Sequence, residues 1–151
     1  MVERFLASAE DLLKARSGSA AYRRRAISAA YYAVFHSLAK LCAETLLPEG
    51  GVEEDVMRVY RALDHGPLRN AFSQSPLKDH AELKEIGALV LVLQNERHRA
   101  DYLPPDSKLF PEAEVRQLVA QARIAVTRIE ALDSAGRRML ATCLLFKERK
   151  S

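Results

Sequence analysis

Between Ser19 and Pro48 the chain contains neither glycine nor proline, and its apolar residues fall into two helical stripes rather than one. Ile27, Tyr31, Val34, Leu38 and Leu41 make the first stripe. Ser28, Tyr32, Phe35, Ala39, Cys42 and Leu46 make the second. Steps of three and four residues bring each set onto one side of an α-helix, so the segment is predicted to be a helix with two faces to bury. Such a helix belongs in the middle of a bundle, packed on both sides. Ser19 suits the N-cap, and Pro48 with Gly50 and Gly51 ends the run.

The same period runs through the rest of the chain. Val2, Phe5, Ala9 and Leu12 mark a first helix that stops near Ser17 and Gly18. A shorter helix is predicted over residues 53–63, breaking at "DHGP", with another turn or two in "LRNAF". Ser75 as N-cap and Pro76 at the first helical position open a helix through Leu83, Ile86, Val90 and Leu93 to about Ala100. Its middle, "ALVLVL", is apolar all round and marks a second central helix. Pro104, Pro105 and Pro111 make residues 100–111 an irregular loop. Pro111 then starts a helix with Glu112 and Glu114 in its favourable first turn. The final segment, 134–151, is read as a helix followed by a basic tail. The expectation is an all-α, single-domain antiparallel bundle of four to six helices covering residues 1–151.

Composition narrows the chemistry. At 48% hydrophobic and 28% charged residues the chain is globular rather than disordered, and its net charge of +3 is compatible with nucleic acid without requiring it. The apolar run "MLATCLLF" is far short of the roughly 20 residues of a membrane span, and Glu3 interrupts what would be a secretion signal. Cys42 and Cys143 lack metal-ligand spacing and read as core residues of a cytoplasmic protein. His36, His65, His80 and His98 are scattered, with no pair at helical metal spacing, so neither a metal nor another cofactor is expected. No phosphate-binding glycine loop or nucleophile elbow is present.

Two places carry polar residues that a plain bundle does not need. In "LQNERHRADY" the residues Gln94, Arg97 and Asp101 continue the stripe of Gly87 and Val90, so an apolar face ends in an amide, a guanidinium and a carboxylate. One reading is an Arg97–Asp101 pair closing the helix. The other is an anion pocket with Arg97 as the donor and Asp101 holding it. If the two central helices run antiparallel, this segment lies beside residues 23–32, the run "RRRAISAAYY", which brings Tyr31 and Tyr32 to Arg97. His36 falls on a further face with Ala29, Ala33 and Lys40, where small residues permit close approach of another helix, including one from a second subunit.

"SAAYYAVFHSLAKL" followed by "LQNERHRADYLP" resembles the HEPN superfamily, in particular its branch associated with nucleotidyltransferases. Its central helix has the form A-Y-Y-A-x-F-H, and a later element reads R-x-x-A-D-Y, here Arg97 to Tyr102. The resemblance implies a dimeric helical bundle that acts on or binds RNA or nucleotides, in toxin–antitoxin or phage-defence settings. HEPN ribonucleases carry an arginine with a histidine a few residues further on. Here His98 follows Arg97 at once, and the pair with suitable spacing is Arg58 and His65.

Three readings follow, in order. The first is a binding or partner module for nucleotide, RNA or a companion protein, through Arg97, Asp101, Tyr102, Gln94, Tyr31 and Tyr32. A homodimer and a nucleotidyltransferase-type partner are its expected associates. The second is a metal-independent endoribonuclease using Arg58, His65, His36 or His98, with a histidine as base and an arginine stabilising the phosphorane. The third is a structural helical subunit.

Overall fold

Every regular element among the described residues of the computed structural model is helical, as the periodicity requires. The description covers residues 1–15, 19–63, 65–106 and 108–146, with residues 15 and 65–67 as backbone only. The order is α1 (Val2–Ala15), α2 (Ala20–Leu46), α3 (Glu53–Ala62), α4 (His65–Phe72), a 3-10 turn (Leu77–Asp79), α5 (Ala81–Tyr102), α6 (Glu112–Glu130) and α7 (Ser134–Leu145). The expected stop of the first helix at Ser17 and Gly18, and the basic tail after Phe146, lie outside the described residues.

Seven α-helices stand among the described residues, against the four to six expected. The surplus comes from residues 53–72. Leu63 takes an extended backbone (φ −78°, ψ 115°) and stops α3, and a separate eight-residue helix follows where only a turn or two was expected. Pro67 is tolerated in its first turn, where no helical hydrogen bond is lost.

The start of α5 is also corrected. Ser75 and Pro76 do not open it; the helix begins at Ala81. His80 has an extended backbone (φ −91°, ψ 119°), and its Nδ1 accepts a hydrogen bond from the Leu83 amide at 3.3 Å, the geometry of an N-cap. The Ser75 hydroxyl is engaged by the Asp79 carboxylate instead. At its other end α5 runs to Tyr102, two residues past Ala100 and so into the segment expected to be loop. The first proline, Pro104, lies just beyond, and the terminal carbonyls have found partners, as described below.

The contacts group the chain into two compact units, residues 1–36 with 89–127, and residues 37–88 with 128–151. In the first, Leu6, Ala9, Ile27, Tyr31, Val34, Leu93, Val115 and Ala122 are fully buried. Arg123 of α6 reaches Glu10 of α1 at 2.7 Å and Glu3 at 3.8 Å, exposed pairs that contribute little by themselves. In the second unit, Leu38, Cys42, Leu77, Leu83, Ile86 and Leu140 are fully buried. There Arg128 pairs with Glu85, and Arg137 with Glu44 at 2.9 Å. No helix among the described residues is long and apolar enough to cross a membrane.

Candidate functional site at the end of α5

The site lies within the first unit, where residues 23–36 of α2 and residues 94–102 of α5 supply its side chains. Its frame is made by two of the three consecutive arginines. Arg24 donates to the carbonyl of Ala100 (3.0 Å), one of the acceptors the end of α5 leaves without a partner, and to those of Leu103 (2.7 Å) and Pro104 (2.7 Å) just beyond it. Arg23 is buried, and its Nε donates to the Phe110 carbonyl at 2.9 Å. Phe110 itself is buried with φ at +58°, a left-handed conformation costly for a residue with a Cβ. The guanidinium groups of Arg24 and Arg99 lie over its ring at 5.2 and 5.3 Å from the centroid. Arg25, the third of the run, is exposed.

Inside that frame the structure brings together Arg97, Asp101, Tyr31, Gln94 and a residue the sequence reading left in its apolar stripe, Ser28. Arg97 is 14% exposed, and one terminal nitrogen contacts Asp101 Oδ2 at 3.2 Å. Its guanidinium carbon stands 5.1 Å from the Tyr31 ring centroid, a cation–π contact. Arg97 and Gln94 both act on the Tyr31 hydroxyl in the direction that favours its ionised form. The Ser28 hydroxyl donates weakly to the other Asp101 oxygen at 3.4 Å. Burial works against the charge on Arg97, but the Asp101 hydrogen bond, followed by Tyr32, Tyr31 and the Asp101 charge, outweighs it, so Arg97 is held above the ordinary arginine value. Tyr102 is 70% exposed and Tyr32 half-buried.

Of the candidate histidines, His36 and His98 have ring contacts of their own. His36 stacks on Phe5 of α1 at 5.1 Å with 8° between the planes, and Phe35 meets it edge-on. The face of α2 that was expected to admit another helix carries α1 of the same chain rather than a helix of a second subunit, and Ala33 on it is fully buried. His98 is exposed and its ring lies 4.6 Å from that of Tyr102. Arg58, 70% exposed, pairs with Asp55 one turn earlier at 3.1 Å. The side chain of His65, and with it the Arg58–His65 pair, lies outside the described residues. Burial pushes the Cys42 thiol up to about 12, which removes the thiolate that nucleophilic chemistry needs. No group of three or more His, Cys, Asp or Glu side chains among the described residues is arranged to hold a metal.

Tyr31 makes the electrostatics testable. Burial pushes its phenol up to about 12, against the opposing pull of Arg97, with Tyr32 adding to the rise. The folded state therefore favours the protonated phenol. The resulting stability is fully present below the unfolded value near 10 and is lost as pH rises through about 12. Burial, with Glu44 adding, also raises Tyr60, so we expect a phenolate absorbance titration to show late ionisation with loss of helical circular dichroism, and Tyr31→Phe to remove the part of it near 12. Ionisation of all tyrosines together near 10, with the helices intact, would contradict the buried placement.

No protein-family model, curated protein or solved structure matches the chain.

Proposed function

We propose that the chain is a HEPN-like binding module that recognises a phosphate-bearing ligand, a nucleotide or RNA, at the α5 end around Arg97, and that it works as a homodimer with a companion protein. The observation that carries this reading is the state of Arg97. A guanidinium largely withdrawn from solvent lies over the Tyr31 ring and makes one hydrogen bond, to Asp101, while its buried Nε has no hydrogen-bond partner. A side chain serving only to close a helix would be expected in solvent, making an ordinary exposed pair. Towards the same end of α5, on a different side of the helix from Arg97, the exposed rings of His98 and Tyr102 lie 4.6 Å apart and offer a surface on which a base can stack.

The ribonuclease reading has less support. Cleavage needs a histidine and a cation converging on one phosphate, and adjacent helical residues such as Arg97 and His98 point about 100° apart. The test is fluorescence anisotropy with a labelled single-stranded RNA and with adenosine monophosphate, in EDTA, with light scattering on the same sample. We expect saturable binding without cleavage by a dimeric protein. Arg97→Gln should weaken binding by about ten- to a hundredfold, the worth of a charged hydrogen bond of about 1.5–3 kcal/mol. The exposed control Lys40→Ala should bind like the native protein. Equal binding by native and Arg97→Gln protein would end the proposal. Cleavage leaving cyclic phosphate ends would replace it with the enzyme, and a monomer at micromolar concentration would end the dimer.

A further inference from the structure

The Arg97–Asp101 contact has the partners of an ion pair without its usual geometry. Charge-assisted N–H···O bonds run at about 2.7–2.9 Å, and arginine prefers to hold a carboxylate with two N–H groups. Here one N–H reaches one oxygen at 3.2 Å, the other oxygen takes only the 3.4 Å contact from Ser28, and Arg97 Nε is left over. The Asp101 side chain is 34% exposed against 14% for Arg97, so a rotation of the aspartate alone would bring it into water and uncover the guanidinium. Asp101 also lies in the last turn of α5, where the helix field disfavours an anion. Arg24, bonded to the carbonyls of Ala100, Leu103 and Pro104, offsets that field for any negative group held there.

We infer that Asp101 is a built-in stand-in for a phosphate-type dianion, occupying Arg97 until such a ligand displaces it. The inference rests on Arg97 being the ligand-binding residue and adds the ligand chemistry and the way its access is controlled. A tetrahedral anion with three free oxygens can engage several donors at once: the Arg97 terminal N–H groups, Arg97 Nε and the Ser28 hydroxyl. The resident carboxylate uses two of these, both at long range. Displacement lowers apparent affinity by the fraction of molecules in which Arg97 is open, so a pair closed about 90% of the time masks the site about tenfold.

The experiment is calorimetric titration of native protein, Asp101→Asn and Arg97→Gln/Asp101→Asn with inorganic phosphate, and in a second arm with adenosine monophosphate. Asp101→Asn is expected to bind phosphate about tenfold or more tightly than the native protein, and the double variant to lose binding. Tighter binding of the monophosphate than of free phosphate would identify a nucleotide as the source of the anion. Equal affinity of native protein and Asp101→Asn overturns the masking role while leaving Arg97 as a binding residue. No phosphate or monophosphate binding by either protein overturns the inference outright, whereas the RNA titration above decides the broader reading separately. If circular dichroism shows Asp101→Asn unfolded, the native protein carries the test. Phosphate should then shift the Arg97 Nε–H resonance, and an unchanged resonance overturns the inference.

Discussion

Arg23→Ala is expected to lower the stability of the protein by about 2–4 kcal/mol, whereas Arg25→Ala, two positions further on, should stay within about 0.5 kcal/mol. Both belong to the same triple arginine, and their surroundings separate them. Arg23 is 8% exposed, and its Nε holds the carbonyl of Phe110. Removing the donor leaves a buried acceptor unsatisfied, at a cost of about 1–3 kcal/mol. The buried aliphatic stem is lost as well. The same contact also holds Phe110 in its left-handed backbone, a conformation that costs about 1–2 kcal/mol in a residue with a Cβ and persists only where its surroundings enforce it. Arg25 is exposed and has no such task. Urea unfolding followed by circular dichroism measures the difference. Equal losses for the two variants would mean that the Arg23–Phe110 bond does not anchor the segment after α5, and Arg23→Lys should recover part of the loss through its stem.

Gly87→Ala is expected to destabilise by about 1–3 kcal/mol, against the sign that helix propensity alone predicts. Gly87 lies inside α5, where alanine would ordinarily be better by about 1 kcal/mol. A Cβ built there meets the Phe72 side chain at 2.6 Å (Cδ1), 2.9 Å (Cγ) and 3.1 Å (Cβ). The ring root and Cβ cannot step aside as the tip of a flexible chain would, and Phe72 is itself only 6% exposed. Overpacking of this kind outweighs the propensity gain. Thermal unfolding should show a fall of about 2–4 °C per kcal/mol for a chain of this size. An unchanged or raised midpoint would mean that Phe72 is free to move, and Gly87→Ala with Phe72→Leu should then be no better than Phe72→Leu alone. The glycine is thus a close approach between α5 and α4, which its place in an apolar stripe does not announce.

The all-α class and the deep burial of α2 were legible in the chain because they depend on local periodicity. Two stripes on one uninterrupted segment leave no other way to bury Ile27, Tyr31, Leu38 and Cys42, and all four are fully buried. The neighbourhood of Arg97 and Tyr31 was legible for a related reason, since antiparallel central helices place residues 23–32 beside the end of α5, and their contact is observed. Helix starts were less so. Ser75 and Pro76 carry the local signs of an N-terminus, yet His80 takes the cap, because the chain's route through the 3-10 turn, rather than propensity, decides which residue faces the free amides.

What the chain alone could not disclose are the partners brought from far away along it. The arginines of "RRRAIS" look alike in sequence and have three different situations: one on the carbonyl of Phe110, one on the end of α5, one in solvent. The face of His36 does meet another helix, as its small neighbours imply, but only the fold shows that the helix is α1, through Phe5. Periodicity specifies which side of a helix is buried, because that depends only on residues a turn apart. Which group meets a given polar side chain depends on backbone atoms many tens of residues away, 87 positions for Arg23 and Phe110, and only the folded chain brings them within a hydrogen bond.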